Sequence, residues 1–279
     1  MTLTDRLTLG RAVRLALLSL GAIVFLAPYI FMISTAGKAQ SEIFSSSLTL
    51  IPQTWSYAEN FAKAFGQVSM GGLLLNGVIV CGLILLVQVL VAIPCAYAMA
   101  KLSFGAARLM MALVMLGLLV PIHATALPLY VAFDRLSVLN SYFALVAPFS
   151  ISVFAIFLFL QFFRGIPDDL IHAARLDGMS EAGIVARVIV PNAWPAITAF
   201  AIFSVVAHWN DLFWPLIVVT NQTYATPPLG LLYFRAAEAG DDYGALMAAT
   251  LIITLPLVLA FLLAQKRFVE GITMTGLKG

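Results

Sequence analysis

The sequence predicts an all-α integral membrane protein with six transmembrane helices, and three observations carry that prediction. The chain is 62% hydrophobic with a mean hydropathy of +1.02, too apolar for a soluble domain of 279 residues. Six apolar runs recur along it, each long enough, at about 1.5 Å per helical residue, to cross roughly 30 Å of hydrocarbon. Charged residues, 10% of the whole, fall almost entirely between those runs.

Residues 1–14 form a short polar segment with Arg6, Arg11 and Arg14. Leu15 to Ser34 follows without a charge. Its apolar core is longer than that of a secretory signal and has no small-residue cleavage site, so a retained signal-anchor helix is expected. Residues 35–72 make the first polar loop, with Pro52, Trp55 and Tyr57-Ala-Glu-Asn-Phe61. Met70 to Ala100 is a second uncharged run, long enough to span with tilt, and Lys101 and Arg108 close it. Leu109 to Phe133 is the third, interrupted by Pro121 and Pro128. Intramembrane prolines free backbone carbonyls, so this helix is expected to kink or to line a cavity.

Asp134 and Arg135 mark a turn before the fourth span, Leu136 to Phe163. Ile189 to Val219 is the fifth. Its Trp194 and Trp214 are 20 residues apart, about 30 Å on one helix, and read as anchors at the two interfaces. A second polar loop over 221–243 precedes the sixth span, Gly244 to Ala264, which closes the six-helix domain of residues 15–264 before a basic tail over 265–279. Six spans put both termini on one side. With the N-terminus inside, 11 of the 15 basic residues are cytoplasmic and Lys38, Lys63, Arg135 and Arg235 are outside, as the positive-inside rule requires.

Between the fourth and fifth spans lies a polar stretch, Arg164 to Arg187, with seven of the 28 charged residues. Pro167 suits a first helical position, and Asp168 and Asp169 complement that end's positive dipole. Gly178 supplies a left-handed stop, and Ser180 can cap a second short helix. The pattern is helix, tight turn, helix. Leu170, Ala173 and Ala174 form a stripe at i, i+3 and i+4, and the alanines leave that face low enough for another surface to approach closely.

Ala173-Ala174-x-x-x-Gly178, then nine residues, then Val188-x-Val190-Pro191, resembles the Glu-Ala-Ala motif of the membrane subunits of ATP-binding-cassette (ABC) importers; His172 stands where that family has its Glu. The tail, Gln265-Lys-Arg-Phe-Val-Glu-Gly-Ile-Thr-Met-Thr-Gly-Leu-Lys-Gly279, resembles the C-terminus of sugar-importer permeases, and Trp209-Asn-Asp-Leu-Phe-Trp-Pro-Leu216 resembles a segment after their coupling loop. The resemblance implies a type I ABC importer permease fold of the maltose-permease branch, in a bacterial inner membrane. It makes 164–191 a cytoplasmic coupling loop in which Asp169, Leu170, His172, Ala173, Ala174, Arg175, Asp177, Gly178, Met179, Ser180 and Glu181 dock on a separate ATPase. The tail also reaches toward the ATPases, or else lies on anionic headgroups. The implied partners are a homologous second permease, two ATPase subunits, an extracytoplasmic binding protein and membrane lipid. Tyr224, Pro227, Pro228, Leu231 and Tyr233 of the outer loop are expected to meet the binding protein.

No Gly-x-x-x-x-Gly-Lys-Ser/Thr loop is present, so ATP and Mg are expected on the partners and no cofactor in this chain. His123, His172 and His208 lack metal-ligand spacing, Cys81 and Cys95 are about 21 Å apart on one helix, and no catalytic constellation or nucleic-acid-binding arm is found. Trp209, Asn210 and Asp211 either line the translocation path or anchor a helix end and cap a backbone. Asn76, His123, Tyr130 and Gln161 are further path candidates, or interhelical hydrogen bonds. The spans contain no Lys or Arg, which favours a neutral, polyhydroxylated solute over a phosphate or carboxylate. A glycerol-phosphate-type ester, and a secondary transporter or channel, are the alternatives.

Overall fold

The uncharged run after Val68 folds as one 32-residue helix, Met70–Lys101, with Pro94 inside it. The computed structural model describes residues 3–45, 49–234 and 242–276, with side chains placed for 11–45, 49–234 and 242–263. Among these every regular element is helical. In order they are α1 (Leu3–Ala36), α2 (Gln40–Ile43), α3 (Tyr57–Gln67), α4 (Met70–Lys101), α5 (Ala107–Leu119), α6 (Ile122–Arg135), α7 (Tyr142–Val146), α8 (Val153–Arg164), α9 (Asp168–Leu176), α10 (Glu181–Ile184), α11 (Val190–Asn192), α12 (Trp194–Trp209), α13 (Phe213–Val218), α14 (Pro227–Leu231) and α15 (Tyr243–Gly276).

Three stretches are single helices long and apolar enough to cross a membrane: Arg11–Ala36, Met70–Lys101 and Tyr243–Leu263. They coincide with the expected first, second and sixth spans. The other three are bent pairs, broken by 95° between α5 and α6, by 45° between Tyr142–Phe149 and α8, and by 79° between Glu181–Asn192 and α12, so the count is six if each pair is one span. The third-span break falls at Val120–Pro121, whereas Pro128 stays inside α6. The expected kink is therefore a near-perpendicular turn at the first proline.

The chain divides into two units, one of residues 1–70 and 231–255, the other of 71–230 and 256–279. In the first, α1 meets α3: Tyr57 donates to the Ile33 carbonyl at 3.0 Å, and the Asn60 amide donates to Ala36 and Lys38 carbonyls, both at 2.9 Å. Lys38 is buried, donates to the Thr49 carbonyl and lies 5.8 Å from the centre of the Phe31 ring. In the second unit the core gathers small residues of α4 against aromatics of α8 and α12. Ala92 and Ala96 are fully buried, Phe159 stacks on Phe163 at 6.0 Å and meets Phe200 edge-on at 5.4 Å.

The fifth span departs from expectation. Helix α12 ends at Trp209 and α13 begins at Phe213, so a single-helix ruler from Trp194 to Trp214 does not apply. Trp194 is 53% exposed, as an anchor needs, but Trp214 is 0% exposed. Its indole Nε1 donates to the Ala144 carbonyl at 2.8 Å, and its ring meets Phe133 edge-on at 6.0 Å. Trp214 is a core residue, not an interfacial anchor. Trp214→Ala removes that burial and strands a carbonyl, and is expected to cost about 3–5 kcal/mol, read as a fall in melting temperature in one fixed detergent. Trp194→Ala should stay within about 0.5 kcal/mol.

Candidate functional site

The polar stretch folds as helix, turn, helix, with one shift: Pro167 sits at the N-cap of α9, one residue before the first helical position expected of it, and Asp168 and Asp169 occupy the first turn beside the unpaired N–H groups. Gly178 holds φ +80° and has open space where a Cβ would be, so its requirement is conformational rather than steric. The Met179 amide reaches back to the Ala174 carbonyl at 3.0 Å, closing the turn. Ser180 Oγ then accepts from the Gly183 amide at 3.2 Å and caps α10. A π-helical turn over Val185–Ile189 carries the chain to Pro191.

The two alanines part company. Ile171 and Ala174, three apart, turn inward and are 2% and 5% exposed, whereas Leu170 is 44% and Leu176 90% exposed. His172, Ala173, Arg175, Asp177, Gly178, Ser180 and Glu181 are exposed as well, and Met179 is half-buried. Ala174 therefore packs on this chain's own core and does not share the open face expected of it. The outward apolar residues are Leu170, Ala173 and Leu176, flanked by Asp169, His172 and Arg175.

Two side chains of α4, neither expected as part of the site, hold this element. Lys101 Nζ, on a side chain 4% exposed, donates to the Ile166 carbonyl and to Asp168 Oδ1, both at 2.6 Å. The Tyr97 hydroxyl donates to Glu181, which Arg175 Nε also engages at 2.8 Å. Lys101 holds the Asp168 carboxyl below its ordinary range, and Arg175, then Tyr97, lower that of Glu181. A lysine closing an apolar run was legible; which carboxylate it would meet, 67 residues on, was not.

A second polar group sits where α4 meets α12. Buried Gln88 accepts from Ser204 Oγ at 2.7 Å and donates to the Phe149 carbonyl at 2.9 Å; its nitrogen also lies 3.3 Å from His208 Nε2. With both amide hydrogens so used, His208 Nε2 accepts and its proton sits on Nδ1. His208 lines a cleft of about 230 Å³ with Ile122, His123, Phe149, Asp211 and Phe213. A neighbouring cleft of about 410 Å³ is lined by His123, Ala126, Leu127, Tyr130 and Ile217.

The path candidates separate accordingly. His123, its ring 4.4 Å from Phe213, lines both clefts, while Tyr130 and Asp211 each line one. Asp211 Oδ1 also accepts from the Trp214 amide in the first turn of α13, at 3.3 Å. Trp209 is buried, and Asn210 is exposed and spends its amide on the Val206 carbonyl at 2.8 Å. Asn76 is an interhelical clamp: it donates to the Thr223 and Ala225 carbonyls, both at 2.9 Å, and accepts from Tyr142 at 2.6 Å. Gln161 is exposed on α8, away from both clefts' linings. Gln88, Ser204 and His208 were missed because a lone polar residue in an apolar run does not announce its partner.

The outer loop is less open than expected. Pro227 is buried against α4, where a Cβ on Gly77 would lie 2.8 Å from its ring. Pro228, Leu231 and Tyr233 are half-buried, as is Tyr224, whose ring meets Tyr142 edge-on at 5.0 Å. Gln222 and Thr223 are exposed. Residues 235–241 of this loop and the side chains of the tail from 264 lie outside the described residues, as do the side chains of residues 1–10.

Residues 88–274 match the family described as binding-protein-dependent transport system inner membrane component. The chain belongs to this family. Among curated proteins it is 29% identical over 261 residues to the arabinooligosaccharides transport system permease protein AraQ of Halalkalibacterium halodurans, covering 92% of this chain and 93% of that one. It is 28% identical over 262 residues to the sn-glycerol-3-phosphate transport system permease protein UgpE of Yersinia pestis, covering 92% and 93%. Its fold matches, at TM-score 0.82 and 19% identity, a chain of a bacterial ABC transporter involved in the import of the acidic polysaccharide alginate, over 96% of this chain and 99% of that one. The chain is thus an inner-membrane permease subunit of an ABC importer, and an importer of this kind implies an ATPase and a substrate-binding protein.

In this permease the lowered carboxyl groups of Asp168 and Glu181 fix the sign of a pH effect. A carboxyl depressed in the folded state stabilises it fully above the ordinary carboxylate range, and that contribution is lost as pH falls through the lowered value. Amide exchange in α9 should therefore be flat from neutral pH to about pH 5 once corrected for intrinsic rates, and rise as pH falls toward about 3. Both carboxylates are largely solvent-exposed, so the gain in exchange should be modest.

Proposed function

We propose that α9 is the coupling helix of the permease and docks on a separate ATPase, and that the solute imported is a carbohydrate or a related polyhydroxylated molecule. The observation that carries the docking is the exposed trio Leu170, Ala173 and Leu176 on an otherwise polar element. A leucine 90% exposed at a helix end gains by being covered, and the small Ala173 lets a partner surface come close. On this reading Asp169, His172, Arg175, Asp177, Gly178, Met179, Ser180 and Glu181 frame the contact or hold its backbone. ATP and Mg bind the ATPase pair, this subunit is not itself catalytic, both termini are cytoplasmic, and a homologous permease completes the pathway.

Ala173→Arg or Leu170→Arg should insert normally yet lower recovery of the ATPase in detergent co-purification by tenfold or more, on the order of 1.4 kcal/mol. Wild-type recovery with both variants would overturn the docking. Ala174→Arg is no substitute, because it overfills this chain's own core.

The carbohydrate reading rests on the absence of Lys and Arg from the six apolar runs of the sequence and on polar side chains at the clefts, His208, His123 and Tyr130. The relative named for arabinooligosaccharides supports it. The relative named for sn-glycerol-3-phosphate favours the second reading, a glycerol-phosphate-type ester whose charge a partner permease would neutralise. On either reading exposed residues of the outer loop around Gln222 face the binding protein. In competition assays on vesicles holding the assembled importer, oligosaccharides should inhibit uptake and sn-glycerol 3-phosphate should not. Inhibition by the ester alone would reverse the assignment.

A further inference from the structure

We propose that the two bonds from α4 to the polar element, Lys101 to Asp168 and Tyr97 to Glu181, make α4 and the coupling helix one rigid body, so that ATPase motion enters the membrane domain along α4. This rests on the coupling role given to α9 above. The two bonds sit at opposite ends of the element: Asp168 opens α9, and Glu181 opens α10 beyond the Gly178 turn. Arg175, in the last turn of α9, bonds to Glu181 at 2.8 Å and so ties the two short helices to each other as well as to Tyr97. A body pinned at two separated points cannot pivot about either.

The inward face completes the seating. Ile171, Ala174 and Ile184 of the element lie in the same buried cluster as Ala96, Tyr97 and Met99 of α4. Lys101 also holds the Ile166 carbonyl at 2.6 Å, on the residue where the chain leaves α8. Its side chain is 4% exposed, so the ammonium has exchanged water for these two oxygens and loses both if the element lifts.

Along the same helix, Gln88 is 13 residues before Lys101, about 20 Å away. It bonds Ser204 and the Phe149 carbonyl and sets the His208 tautomer at the cleft. Twelve residues earlier, Asn76 holds the start of the outer loop through Thr223 and Ala225. The one helix α4 thus carries side-chain hydrogen bonds to the polar element, to residues at the cleft and to the outer loop. Displacement of the coupling helix is therefore delivered by α4 to the residues that line the cleft. Tyr97 and Lys101 act as positioning residues; neither is on the outward face.

The test is a spin-label distance across the joint. Labels go on Ser103→Cys, exposed just past α4, and Ala182→Cys, exposed on α10 outside the docking trio, in a Cys81→Ala, Cys95→Ala background, with the importer assembled with its ATPase. The wild-type joint should give one narrow distance that does not shift between nucleotide-free and non-hydrolysable-ATP-analogue states. Lys101→Met with Tyr97→Phe should broaden the distribution by about twofold or let it shift with the analogue, while Lys101→Arg, which can keep both oxygens, should not. A wild-type distance that changes with nucleotide, or a double variant as narrow as wild type, would overturn the proposal. If the double variant does not assemble, each single variant is read in its place, and the wild-type arm decides by itself. Failure of the unsubstituted, label-free chain to retain its ATPase would instead count against the coupling reading.

Discussion

Inside hydrocarbon every peptide N–H and C=O must find a partner within the protein, and that requirement organises this chain. The helix α4 meets it by remaining unbroken over 32 residues, except at Pro94, whose missing N–H frees the Leu90 carbonyl. The fourth span meets it at its break with a serine that caps α8; short polar side chains also serve the first turns of α7 and α13, whereas α6 and α12 begin without a side-chain cap. Ser141 accepts from the Ala144 amide at 3.2 Å, Ser152 from Ala155 at 3.1 Å and Asp211 from Trp214 at 3.3 Å. Asn140, at φ 53°, accepts from the Thr220 amide at 2.7 Å and the Asn221 amide at 3.2 Å, fixing the chain beyond α13. Much of the polarity in the apolar runs is thus spent on backbone. That leaves few groups, chiefly His123, His208 and Tyr130, free of a capping duty at the clefts.

This division also explains what could be read from the sequence. The unbroken spans were legible because length and absence of charge suffice to define them. Pro121 and Pro128 marked the third span as interrupted, and the break falls at Pro121 while Pro128 stays inside α6. The break after Trp209 carried no such sign: Asn210 and Asp211 suit a helix end and a lumen equally well. A helical ruler drawn across that break turned Trp214 into an interfacial residue, although its indole bonds to Ala144 in the core.

The polar element was legible in its backbone and only partly in its faces. Pro167, Gly178 and Ser180 each have a conformational preference strong enough to place them. The adjacent Ala173 and Ala174 do not, because alanine suits both a core and a close contact. The sign that Ala174 turns inward was available in Ile171, three residues earlier on the same face, and Ile171 is 2% exposed. Facing was decided by tertiary packing against α4, which no local periodicity encodes.

Of the charged contacts that hold this element, burial decides which matters. Arg175 and Glu181 have side chains 37% and 48% exposed. Such a pair taken alone is screened by solvent and weakens with salt. Lys101 and Asp168 are unequal, at 4% and 69% exposure. Breaking this pair leaves the carboxylate in water at little cost, whereas the nearly buried ammonium loses one of the two oxygens that replaced its water. The asymmetry locates the constraint on α4 rather than on the polar element. Asp168 could be exchanged for another acceptor with small loss, because Lys101 would keep the Ile166 carbonyl, whereas an apolar residue at 101 leaves both that carbonyl and the carboxylate without their cation. The helix that runs unbroken through the domain therefore also sets where the polar element rests.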